Sequence, residues 1–373
     1  METLYQKIAE LRHLLHQNPE LSGHEKKTVK IITDFIKIHS DFQLYYPPKG
    51  GLIAYRTDSS AGKNLLFRAD IDGVKINEPN DLPYASLKKN ISHKCGHEGH
   101  SAILAGLAAA LKGKKSKHKT LIFVFQPAEE TGKGARILCQ DDFFKNCKPD
   151  VAFALHNIPG YNLGEIIIRH NVFALASTGI EIKLKGVCTH ASTPHLGRSP
   201  EVVLADLIKM LPLKYCQADH LTMLTITHAV LGNRNFGITP AEGKLCFTLR
   251  SVDASFLNKY VDEIYYLAQE MTERNNLTLS LKKIEPFPAI KNSHEAVELV
   301  KKSGEHLKMV IIEKKEPFSF SDDFAYFTDL FGGAFFGLGS GKGSKPLHHH
   351  QYDFCDELIK PGIRILHEII NLY

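Results

Sequence analysis

The chain has 373 residues, 43% of them hydrophobic, and a formal net charge of +5; that is a globular balance, long enough for two or three domains of roughly 150 residues each. Much of the positive excess lies in 112–119, a stretch without an aromatic residue on which a base could stack, which argues against nucleic-acid binding. Seven cysteines without paired spacings exclude a disulfide framework and point to a reducing, cytoplasmic setting, and no apolar run approaches the ~20 residues that a membrane span requires.

From the N-terminus, Leu4, Ile8, Leu11 and Leu15 mark an amphipathic helix that ends before Pro19 and lacks the apolar core of a signal peptide. A second helix is predicted over 25–38 and a short strand over 51–55. The apolar run Leu65-Leu66-Phe67 then stops at Arg68-Ala69-Asp70-Ile71-Asp72. The same pattern recurs three times: 121–125 runs into Pro127-Ala128-Glu129-Glu130, 151–155 into His156-Asn157, and 334–338 into a glycine-rich loop reaching His348. Continuous apolar strands between helices predict an α/β fold with a mostly parallel sheet covered by helices on both faces. Ligands of such sheets bind beyond the carboxyl ends of the strands, where these acidic and imidazole groups cluster.

Cys95-Gly96-His97-Glu98-Gly99-His100 puts a thiol and two imidazoles directly before a helix predicted over 101–111. A thiol at a helix N-terminus is expected to have a lowered pKa, and Cys with His at i+2 has the composition of a divalent-metal site. One Cys-x-His alone is weak evidence, since a buried cysteine beside two surface histidines reads the same way. Ligand-type residues at four strand ends strengthen it. Two other signals are set aside: only His348 of His348-His349-His350 is a candidate, and 337–343 lacks the first glycine and the Ser/Thr of a phosphate-binding loop.

Between the third and fourth of these strands the rhythm changes. Residues 180–184 and 277–281 alternate with period two, and the order strand (180–184), helix (200–211), strands (224–230 and 245–249), helix (256–272), strand (277–281) is that of a ferredoxin-like split βαβ module. The predicted organisation is a catalytic domain of 1–173 and 286–373 with an inserted α+β domain of 174–285.

Asn18-Pro19-Glu20-Leu21-Ser22, Arg68-Ala69-Asp70, Cys95-Gly96-His97, Pro127-Ala128-Glu129-Glu130, Leu155-His156-Asn157, His190-Ala191-Ser192-Thr193-Pro194 and Leu347-His348 together resemble the dinuclear metallo-amidohydrolases and peptidases. That family includes hippurate hydrolase, auxin-conjugate hydrolases and N-acetyldiaminopimelate deacetylase, with aminoacylase and glutamate carboxypeptidase more distant. The resemblance implies two divalent metal ions per subunit (Zn, Mn or Co) held by Cys95, His97, Glu130, His156 and His348. It also implies Glu129 as general base toward a metal-bridged water, and Asp70 as a carboxylate orienting a ligand. The inserted domain would be a lid through which a homodimer forms, with His190 stabilising the oxyanion in the partner subunit's site and Asn235 and Arg250 contacting the substrate carboxylate. Glu98 stands where the family mostly has Asp, Ser321-Asp322-Asp323-Phe324 has Asp where the family usually has Glu, and the loop 232–240 is longer than usual. The implied activity is hydrolysis of the amide of an N-acyl amino acid or small peptide. The alternatives are a dipeptidase or carboxypeptidase, or a non-catalytic relative that binds metal or amino acids.

Overall fold

The computed structural model describes residues 2–79, 82–216 and 222–373. The chain forms two units, one of Met1–Phe173, Ile290–Pro317 and Asp322–Tyr373, the other of Ala174–Ala289 with Phe318–Ser321. The first unit begins with helices α1 (Glu2–Gln17) and α2 (Lys26–His39), strands β1 (Gln43–Tyr45), β2 (Leu52–Thr57) and β3 (Asn64–Asp70), and helix α3 (His97–Ala110). Strand β4 (Thr120–Gln126), short helices α4 (Gly134–Leu138) and α5 (Asp142–Asn146), and strands β5 (Val151–Ile158), β6 (Ile166–Ile168) and β7 (Asn171–Ala174) follow. The second unit contains β8 (Ala176–Lys185), α6 (Glu201–Tyr215), β9 (Met223–Leu231), β10 (Glu242–Ser251), α7 (Ala254–Arg274) and β11 (Thr278–Phe287). The chain returns to the first unit through β12 (Ile290–Asn292), α8 (His294–His306), β13 (Ile311–Glu313), α9 (Ala325–Phe331), β14 (Gly333–Gly339) and α10 (Ile359–Leu372).

Among the described residues the first unit has an eight-stranded sheet in the order β1-β2-β4-β3-β5-β14-β6-β13. Its central strands β4, β3, β5 and β14 are parallel, while β2 joins β4, and β6 joins β14, antiparallel. Every residue of β4, β5 and β14 is buried. Successive side chains point to opposite faces, so both faces are covered, which is why these strands read as unbroken apolar runs. At the centre, Phe67 of β3 contacts Phe123 of β4 on one side and Phe153 of β5 on the other.

Helix α3 starts at His97, one turn earlier than the apolar pattern suggested, and is buried all round from His97 to Ala109. It packs against β3, α1 and α10 together, so no polar face was available to mark its beginning. Gly106 permits this: a Cβ there would lie 2.7 Å from both Ile8 and Ile363.

Among the described residues the second unit has a wholly antiparallel four-stranded sheet ordered β11-β8-β10-β9, the order of a split βαβ module. One face buries Ile180, Ile182, Leu184, Leu245, Phe247 and Leu249, and the other faces solvent, hence the period-two pattern. Among the described residues no helix is long and apolar enough to cross a membrane.

Candidate metal centre

The carboxyl ends of β3, β4 and β5 and the start of α3 converge on one buried cluster. Cys95 is positioned by Gly96, whose φ of 94° is left-handed and whose missing Cβ would lie 2.5 Å from Asn157 Oδ1. Glycine is required there by conformation and by space. His97, the first residue of α3, places Nδ1 3.0 Å from the Asp72 carbonyl and 3.2 Å from Asp72 Oδ1. Its Nε2 is buried, has no hydrogen-bond partner among the described residues, and faces Asp70, Glu130 and Glu129 carboxylate oxygens at 3.7, 3.8 and 3.9 Å.

His156 Nε2 is 3.7 Å from Cys95 Sγ, with Nδ1 2.9 Å from the Asn157 carbonyl. On the other side, His348 Nε2 is 3.2 Å from Glu130 Oε1. Ala128 and His348 both adopt positive φ, 54° and 64°, an uncommon state for residues with a Cβ. Ala128 N–H donates to Glu25 Oε1 (2.8 Å) and His348 N–H to the Lys94 carbonyl (2.7 Å), which holds both residues in place.

Two donor groups result, Cys95 with His97 and His156, and Cys95 with Glu130 and His348, each with one ligand atom per residue within 4.8 Å of the others. Cys95 Sγ belongs to both. Sulfur, imidazole and carboxylate donors suit Zn²⁺ and its neighbours better than Mg²⁺ or Ca²⁺. The unpartnered His97 Nε2, with Nδ1 turned to Asp72, is arranged as a metal-ligating imidazole with its orienting carboxylate is. The five residues fit a pair of divalent cations.

Charge in the cluster follows from burial. Burial pushes the Cys95 thiol up, against the lowering expected at a helix N-terminus, because desolvation outweighs the nearby imidazole. Burial opposes charge on His97, but Asp70 and Cys95 overcome it and raise that imidazole well above the usual range. Hydrogen bonding to Cys95 and Glu130 raises His348 to about 10. Burial, Asp322 and Glu130 hold Glu129 well above an ordinary carboxylate.

The carboxylate expected to orient a ligand was Asp70; Asp72 is the one whose oxygen touches His97 Nδ1. Asp70 instead meets His100 Nδ1 (2.6 Å) and Arg68 Nη1 (2.8 Å), and the His100 ring lies edge-on to that of His156 at 4.5 Å. Arg68, fully buried, also holds Asp322 and Asp323 at 3.1 Å each. The alternation Asp70-x-Asp72 and the second histidine of Cys-x-His-x-x-His were the available signals for Asp72 and His100. Ser321-Asp322-Asp323-Phe324 stood out only as a departure from the family pattern, and nothing local tied Asp322 to Arg68, 254 positions away.

His190, Asn235 and Arg250 lie in the second unit. His190 is exposed, its Nδ1 2.7 Å from Ser192 Oγ, and its loop is zipped to the loop of Asn235 by Ala191 N to Gly237 O and Thr239 N to Thr189 O. Asn235 Oδ1 accepts from Gly237 N–H. Arg250 donates to the Ser319 carbonyl and Ser321 Oγ near the far end of β10, eight residues beyond Glu242 where those loops join the sheet. At about 3.3 Å per residue, Arg250 and the paired loops are roughly 26 Å apart along the strand.

Comparison with known proteins adds the lineage. Residues 66–372 match the model of Peptidase family M20/M25/M40. An uncharacterized hydrolase of Staphylococcus epidermidis is 30% identical over 376 residues, 97% of this chain and 95% of its own. Among solved structures, the YXEP protein of Bacillus subtilis, described as a dinuclear metal binding peptidase from the M20 family, superposes with a TM-score of 0.83 at 23% identity, covering 99% of this chain and 98% of its own. The aminobenzoyl-glutamate utilization protein of Klebsiella pneumoniae does so with a TM-score of 0.77 at 18% identity, covering 100% and 97%. With the motifs in order and the match running over most of its length, the chain belongs to peptidase family M20/M25/M40.

Proposed function

We propose that this protein hydrolyses the amide bond of N-acyl amino acids, using two divalent cations (Zn, Mn or Co) held by Cys95, His97, Glu130, His156 and His348. The observation that carries the reading is the sulfur of Cys95 common to two donor groups, with the Glu129 carboxyl beside them. When bound, such cations supply Lewis acidity that polarises a carbonyl and makes water easier to deprotonate. Glu129 supplies the proton path: its carboxylate accepts the proton of the attacking water and returns it to the departing amine nitrogen. Burial with Asp322 and Glu130 nearby raises the Glu129 pKa, which makes it a better proton acceptor than an ordinary carboxylate.

His190 is the candidate donor to the developing oxyanion, and Asn235 and Arg250 are candidates for the substrate carboxylate. The separation along β10 keeps Arg250 and the His190 loop of one chain from a single small molecule, which favours a homodimer in which a second copy supplies His190. The acylated amino acid as substrate is supported by the aminobenzoyl-glutamate protein's shared fold; the peptidase description of the Bacillus relative favours small peptides as the second reading.

The test is a panel of N-acyl amino acids and dipeptides, with and without chelator. Chelation should abolish turnover and added Zn²⁺, Mn²⁺ or Co²⁺ restore it. Glu129→Gln should lose ~10²–10⁴ in kcat while binding the same number of cations. Full activity in Glu129→Gln would remove it from the proton path, and turnover of dipeptides alone would select the peptidase reading.

A further inference from the structure

A second group of metal-ligand side chains lies at the other end of the main sheet. His170 follows β6, which runs antiparallel to β14, so it emerges near the amino-terminal end of β14, whereas the Cys95 cluster lies beyond the carboxyl ends of the parallel strands. His294 is the first residue of α8, and Glu298 is one turn further on the same face. His170 Nδ1 and His294 Nδ1 are 3.2 Å apart. His170 Nε2 is 3.2 Å from Glu298 Oε1 and 3.7 Å from Glu313 Oε1. One ligand atom from each of His170, His294 and Glu298 lies within 4.8 Å of the others.

We propose that His170, His294 and Glu298 form a peripheral binding site for a divalent transition metal of the zinc class, separate from the Cys95 centre. Tetrahedral zinc with Zn–N bonds of ~2.0–2.1 Å separates two ligand nitrogens by about 3.3 Å, close to the spacing of the two Nδ1 atoms. For His170 to ligate through Nδ1, Glu313, 3.7 Å from Nε2, holds the proton on the other ring nitrogen, and the Glu298 carboxylate turns from Nε2 to the metal. The two rings stack, with centroids 4.6 Å and planes 28° apart, so the exposed His294 ring must turn out of the stack to bring its nitrogen lone pair onto a shared metal. Two imidazoles with a carboxylate match Zn²⁺, Cu²⁺ or Ni²⁺ rather than the hard cations.

The backbone around the site is well fixed. Asn292, buried, donates to the carbonyls of Arg169 (3.0 Å) and Phe335 (2.9 Å) and accepts from Phe335 N–H, tying the residue before His170 to the strand before His294. Those strands, β7 and β12, pair with each other and carry the chain into and out of the inserted unit. A metal at this site would clamp the two connections together.

The proposal is tested by equilibrating the purified full chain with Zn²⁺, removing free metal, and counting bound zinc by elemental analysis, with chelator competition for affinity. Wild type should bind one more equivalent than His294→Ala or His170→Ala, and Cys95→Ser should keep that equivalent while losing zinc from the catalytic centre. Glu298→Gln should weaken the peripheral equivalent in the chelator competition. Equal zinc content in wild type and His294→Ala would overturn the site. His294 is exposed, so that variant folds. Loss in His294→Ala with no loss in Cys95→Ser would uphold this site and sink the dinuclear centre instead.

Discussion

Lys94 is buried beside the cysteine that both donor groups use. Its ammonium meets Glu78 and the Tyr352 carbonyl (2.7 Å), while its own carbonyl accepts from His348 N–H (2.7 Å). One residue therefore staples the His348 loop to the Cys95 turn. Lys94→Met keeps the volume and removes the charge, but Glu78 retains His16 and Ser86 N–H as partners, so the loss should be about 1–3 kcal/mol by chemical denaturation. Metal titration should show one of two catalytic-site equivalents weakened, the one using His348; two unchanged equivalents would refute the staple. His16 belongs to the same buried region, with Nδ1 2.8 Å from Glu98 and Nε2 2.9 Å from Glu78. Burial opposes its charge, yet these carboxylates raise it from 6.5 to about 9. A raised folded-state pKa means the stabilisation is fully present below pH 6.5 and lost as pH rises through about 9. Counted once for the group, it is at most about 3 kcal/mol. Wild-type stability should fall over that window and that of His16→Gln should not; parallel curves would show that His16 does not titrate as argued.

At the scale of elements, the joint between Cys95 and α3 carries the chemistry. Gly96 holds φ at 94° and leaves room for Asn157, whose Nδ2 is 2.5 Å from the Tyr352 hydroxyl. An alanine would add left-handed strain of ~1–2 kcal/mol and a clash with a side chain packed from behind. Gly96→Ala is expected to lose cation binding before it loses the fold, giving a native-like circular dichroism spectrum with reduced metal content. Full occupancy would show that the turn tolerates a Cβ. The strands themselves were legible because burial on both faces demands unbroken apolar residues, as in 121–125 and 151–155. The start of α3 was not, because a helix packed on three sides has no polar stripe to count. Asp72 was likewise obscured: it follows the same strand as Asp70, and only the position of His97 in space decides which carboxylate meets Nδ1.

On the scale of the whole molecule, β9 is an edge strand of the second sheet and leaves Met223, Val230 and Leu231 at least 40% exposed. Exposed apolar edges are sites for pairing with another chain. If the inserted unit joins two copies as proposed, light scattering should give twice 41.8 kDa, and Val230→Lys with Leu231→Lys should give the monomer with an intact circular dichroism spectrum. Monomeric wild type would remove the argument that a second copy supplies His190.

The order of elements, the two architectures and the residue types able to ligate a metal were readable in the linear chain, because apolar periodicity reflects burial and motif spacing reflects local turns. Convergence was not. That Cys95 Sγ serves two donor groups, that Arg68 gathers Asp70, Asp322 and Asp323, and that His170 faces His294 across 124 positions depend on strand order and crossover connections. Long-range pairings are made by packing whole elements, and no local pattern records which distant side chains that packing brings together.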